Sequence, residues 1–108
     1  MQPWDSYKTV TLARGELVER IHNYNQKDWI KACKKLGLPV SIRNGRGSHA
    51  TVYKHDCPPG RKECCVVTLV KGMHQNIQRD FVKKVVCYGL QSGRYTEDDV
   101  WRALGVLD

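Results

Sequence analysis

Asn44-Gly45-Arg46-Gly47-Ser48-His49-Ala50-Thr51-Val52-Tyr53-Lys54-His55 joins a glycine-rich, basic turn to a run of alternating character. In a strand, alternate side chains point to opposite faces, so Ala50 and Val52 share one face while His49, Thr51, Tyr53 and His55 share the other. An apolar pair on one side and a polar set on the other predicts a strand covered on one face only. That is the habit of an antiparallel sheet. Gly45 and Gly47 allow a tight turn whose amides approach a phosphate closely, and Arg46 adds a planar cationic fork. His49 follows at once, an imidazole suited to moving protons.

Outward from this strand, Pro39 to Arg43 reads as a first short strand and Glu63 to Val70 as a third. Pro58-Pro59-Gly60 makes the intervening turn. The third strand is apolar on both sides, which predicts a central or covered position. Helical spacing of Trp29, Ile30, Cys33 and Leu36 predicts a helix over 26–36, capped by Asn25 and ended by Gly37. Its polar side is a basic ridge of Lys27, Lys31, Lys34 and Lys35. Ile77, Phe81, Val82, Val85 and Val86 predict a further helix from His74 to Tyr88, closed by Gly89. Thr96 caps a last helix whose first turn holds Glu97, Asp98 and Asp99, where the helix dipole favours acids. Upstream, Leu17, Val18 and Ile21 predict a helix from Leu12 to Tyr24.

Helix, three strands joined by short loops, then helix make an α+β unit. The sheet is a three-stranded antiparallel meander with its helices on one face. This α-β-β-β-α order is that of the double-stranded-RNA-binding (dsRBD-like) fold, with an extra helix at each end. The division is an N-terminal arm and helix, residues 1–25, and a main domain, residues 26–108.

At 108 residues the chain suits a single modest core. No apolar run approaches membrane-spanning length and no signal-peptide pattern opens the chain, so a cytoplasmic protein without membrane contact is expected. The formal charge of +7 is concentrated between Lys27 and Lys54, where Asp28 is the lone acid. A basic patch of this kind points to a polyanion, nucleic acid first. The five cysteines, Cys33, Cys57, Cys64, Cys65 and Cys87, are odd in number, and reduced, mostly buried thiols are expected. A zinc site is not expected: neighbouring strand residues Cys64 and Cys65 diverge, and no C-x₂-C knuckle is present.

From Lys27 to Leu104 the chain resembles HicA-type toxins, the ribonuclease half of bacterial toxin–antitoxin pairs. The resemblance is carried by the lysine-rich helix ending Leu36-Gly37-Leu38, by Arg46-Gly47-Ser48-His49 opening the next strand, and by Tyr53-Lys54-His55. Val67-Thr68-Leu69-Val70 leading to Met73-His74, and the Thr96-Glu97-Asp98-Asp99 cap, complete it. Residues 1–25 have no counterpart in that family, and Ala50 stands where a second histidine is frequent. The resemblance implies a metal-independent endoribonuclease (mRNA interferase), no cofactor, mRNA as substrate and a HicB-like antitoxin as partner. It maps the catalytic histidine onto His49.

The chemistry is consistent with those residues. RNA supplies its own nucleophile, the 2′-hydroxyl, so a protein need only move protons and stabilise charge on the phosphate. His49 is the candidate general acid or base. Arg46, Gly47, Ser48 and Lys54 are candidates for the phosphate, and Lys31, Lys34 and Lys35 for the RNA backbone. Tyr53 and His74 are candidate supporting groups, while His22 and His55 read as ordinary surface or hairpin residues. Two alternatives use the same residues: a non-catalytic RNA-binding module, and a protein-interaction domain that docks through its open sheet face.

Overall fold

A computed structural model describes residue 7 and residues 9–42, 49–57, 61–70 and 75–107. Three strands, β1 (Val40–Ile42), β2 (His49–Tyr53) and β3 (Cys65–Val70), form one antiparallel sheet in the order β1-β2-β3. Around it lie α1 (Gln26–Lys35), α2 (Gln75–Ser92) and α3 (Glu97–Ala103), preceded by a 3₁₀ helix over Gly15–Ile21.

Register fixes which side chains share a face. Val40 pairs with Val52 and Ile42 with Ala50, while Ala50 pairs with Leu69 and Val52 with Val67. This set faces the helices, and Ala50, Val52, Val67 and Leu69 are buried with Trp29, Phe81, Val85 and Trp101. The other face carries the pairs His49–Val70 and Ser41–Thr51–Thr68, all exposed or half-buried. The predicted one-sided antiparallel sheet is therefore present.

Helix α1 begins where Asn25 and Asp28 cap each other's backbone N–H groups, at 3.1 and 2.9 Å. It ends at Leu36 before Gly37, whose φ of 82° lies in the left-handed region that glycine tolerates. The Gln26 amide, at the first turn of α1, donates to the Leu69 carbonyl (3.0 Å), beside the His49 end of β2. At the other end His55 Nε2 meets the Leu36 carbonyl (3.2 Å). Helix α1 thus runs along β2 in the same direction, pressing Trp29, Ala32 and Cys33 into the core.

Several expectations change. The segment expected to be an α-helix over 12–24 is a 3₁₀ helix, Gly15–Ile21, in which Val18 and Ile21 are fully buried. With three residues per turn, side chains three apart eclipse, and Leu12, Gly15, Val18, Ile21 and Tyr24 form one inward stripe. Its entry is held by Glu97, whose carboxylate accepts the N–H groups of Ala13 (2.8 Å) and Arg14 (2.7 Å). Helix α2 does not stop at Gly89 but continues to Ser92, and Gly93 at φ 71° closes it. Gly89 serves another purpose: a methyl group there would overlap the ring of Tyr95, which packs against the helix.

Tyr53 is expected on the open face yet is buried, at 8% exposure. A bulge beside Val52 and Tyr53 leaves Val66 as the extra residue on β3, and Tyr53 pairs with Cys65, whose sulfur lies 3.9 Å from the Thr68 hydroxyl of the open face. The thiols are not all reduced, because Cys57 and Cys64 form a disulfide across the β2–β3 connection (Cα–Cα 5.7 Å), while Cys33, Cys65 and Cys87 take part in no disulfide. The loop between them is short enough to bring the two sulfurs together. Among the described residues no helix is long and apolar enough to cross a membrane.

Candidate functional site on the open sheet face

His49 opens β2, opposite Val70, with its side chain exposed on the uncovered face. Among the described residues it makes no hydrogen bond. Thr51 lies two residues further along the same face, about 7 Å from His49 along the strand, flanked by Ser41 on β1 and Thr68 on β3. The face contains no lysine, arginine or carboxylate among its paired positions. The Ser41, Thr51 and Thr68 row therefore presents small polar side chains with the His49 imidazole at its edge.

The other sequence-predicted residues are distributed differently. Arg46, Gly47, Ser48 and His74 lie outside the described residues. Lys54 is half-buried beyond the far end of β2, and its backbone N–H donates to the Cys64 carbonyl (2.7 Å). It stands roughly 16 Å of strand from His49, so the two do not converge. Tyr53 shares the strand parity of His49 and Thr51 but is buried, which leaves little of its ring for the supporting or base-stacking role expected of it. Lys31, Lys34 and Lys35 are exposed on α1, together with Lys27. Helix α1 covers the apolar side of the sheet, so this rank points away from the layer that carries His49.

His55, expected to be an ordinary hairpin residue, is part-buried and fully engaged. The Tyr88 hydroxyl accepts the His55 backbone N–H and lies 2.9 Å from Nδ1, while Nε2 reaches Leu36, so Tyr88 donates to Nδ1 and Nε2–H donates to the carbonyl. The rings stack with 17° between planes. This is a clamp between β2, α1 and α2 rather than a reactive group. No spacing rule in the sequence marks it, because its partners lie 19 and 33 residues away.

Two electrostatic features bound the chemistry elsewhere. Burial pushes the Cys33 thiol up to about 12, so it stays protonated and inert at neutral pH. The Thr96 backbone N–H holds Asp99 below the usual carboxylate range, with Arg102 adding to the effect, which keeps the α3 cap charged. Beside them a groove of about 420 Å³ is lined by Lys35, Leu36, Arg94, Tyr95, Asp99 and Arg102. Arg94 is engaged by Asp56 (2.6 Å) and Arg102 by Asp99 (3.2 Å). Among the described residues no group of three or more His, Cys, Asp or Glu is arranged to hold a metal ion. No family model, no curated protein and no solved structure matches this chain.

Proposed function

We propose that this protein is an endoribonuclease of the HicA-toxin type, built on a dsRBD-like α-β-β-β-α core, that cuts mRNA with His49 as general acid or base. The single observation carrying this reading is the exposed imidazole at the first residue of β2, which makes no hydrogen bond among the described residues. It lies on the uncovered sheet face, and in the sequence it directly follows the glycine-rich basic stretch Asn44-Gly45-Arg46-Gly47-Ser48.

Cleavage transfers the 2′-hydroxyl proton to a base while the 2′-oxygen bonds to phosphorus. The bond to the 5′-oxygen then breaks, that oxygen takes a proton, and a 2′,3′-cyclic phosphate is left. His49 performs one of the two proton transfers, worth about 10²–10⁴-fold in rate. Arg46 and the amides near Gly47 and Ser48 hold the phosphate as charge builds. The reaction needs no cation from the protein: between Ser41 and His55 the sequence has no carboxylate, and none sits among the paired open-face positions. In this reading the partner is an acidic HicB-like antitoxin, drawn by the net charge of +7.

The rank of exposed lysines on α1 favours a second reading, a non-catalytic RNA-binding module that grips phosphates along the helix layer. One experiment separates them. Purified protein incubated with labelled RNA yields fragments ending in cyclic phosphate under the first reading, and bound, intact RNA under the second.

A further inference from the structure

We propose that Thr51 and Thr68, with Ser41 beside them, bind the 2′-hydroxyls and backbone oxygens of a single RNA strand laid across the open sheet face. This rests on the ribonuclease reading only for the assignment of His49 as the cutting residue. Three observations carry it.

The first is alignment. Ser41, Thr51 and Thr68 are direct cross-strand partners, so one row crosses all three strands. Adjacent strands lie about 4.8 Å apart, and the row sits about 7 Å from the His49–Val70 row. That offset is comparable to one step between sugars of an extended single strand.

The second is what the face lacks. Charged residues make up 27% of the chain, yet none occupies a paired position on this face. A merely solvated sheet face in so charged a protein would carry long Lys, Arg or Glu side chains. Here the side chains are short, so a strand can lie flat against them. A protein partner is disfavoured because, among the described residues, the paired positions of this face offer no exposed aromatic or arginine anchor, Tyr53 being buried.

The third is unused hydrogen-bonding capacity. Among the described residues the Ser41 and Thr51 hydroxyls make no hydrogen bond, and Thr68 has a long 3.9 Å contact with Cys65 Sγ. A hydroxyl both donates and accepts, which matches the ribose 2′-hydroxyl and has no counterpart in DNA. Contacts of lysine with phosphate, such as the α1 rank could offer, would not make this distinction.

The test uses the full chain in a His49→Ala background, so that RNA is not consumed. Affinity for a single-stranded RNA oligonucleotide and for its DNA equivalent is read by fluorescence anisotropy at fixed salt. Adding Thr51→Val and Thr68→Val, near-isosteric and favourable in strands, should weaken RNA binding about tenfold and leave DNA binding within about twofold. Thr51→Ser with Thr68→Ser should restore the preference, which excludes a folding defect. Equal losses on RNA and DNA, no loss, or no RNA preference in the parent would overturn the proposal. Cleavage by wild type is read separately, so failure of the ribonuclease reading leaves this result intact.

Discussion

Gln78 has no exposed surface, and its side-chain amide is saturated. Its Oε1 accepts the Trp29 indole N–H and its Nε2 donates to the Tyr24 carbonyl (2.7 Å), tying α2 to α1 and to the end of the 3₁₀ segment. Trp29 also meets Phe81 edge-to-face at 5.7 Å. Gln78→Ala would leave an indole donor and a carbonyl acceptor without partners. At about 1–3 kcal/mol for each such group, the variant should lose roughly 3 kcal/mol of stability in urea titration, although no apolar contact of the sheet is altered. A glutamine inside the apolar periodicity of α2 signals such a tie in principle, but nothing in the sequence says which groups it satisfies. His49 is the opposite case. Its strand position and exposure follow from the alternation Ala50–Val52, and the sequence was enough to put it on the open face.

At the scale of elements, capping and periodicity were legible and departures from regularity were not. Asn25-x-x-Asp28 and Thr96-x-x-Asp99 mark the starts of α1 and α3, and both boxes close as their spacing requires. The stripe Leu12-Gly15-Val18-Ile21-Tyr24 has a strict period of three, yet Leu17 invites a reading at 3.6, so helix type was missed while the buried side was not. The bulge at Val52/Tyr53 depends on pairing with β3 and has no local signature, and the burial of Tyr53 is likewise unmarked in the sequence. The Cys57–Cys64 disulfide follows from the hairpin geometry that an odd cysteine count conceals. Closing an eight-residue loop in the unfolded chain contributes about 2–3 kcal/mol. Reducing agent, or Cys57→Ser with Cys64→Ser, should therefore lower the unfolding free energy by about that amount. Under reducing conditions the double variant and the native sequence should unfold alike.

Across the whole molecule, charge and chemistry occupy different layers. The α1 lysines line the helix layer, His49 lies on the sheet layer, and Ala13 and Arg14 are held to α3 through Glu97 and an Arg14–Asp98 ion pair at 2.9 Å. Val18 and Ile21 belong to the same core as Trp101, so the N-terminal segment is part of one packed body. Under the proposed ribonuclease reading, a net charge of +7 would attract RNA from a distance whichever face it finally contacts. Replacing Lys31, Lys34 and Lys35 with glutamine should accordingly slow association several-fold in stopped-flow binding at low salt, with little change in dissociation. A matching rise in the dissociation rate would move the bound RNA to the helix layer. The most direct measurement of the central claim compares wild type with His49→Ala on labelled RNA in the presence of EDTA. The account predicts 2′,3′-cyclic phosphate fragments from wild type, a rate at least about 10²-fold lower from His49→Ala, and identical unfolding curves for the two. Equal cleavage by both proteins, or cleavage that appears only when a metal is restored, would contradict it.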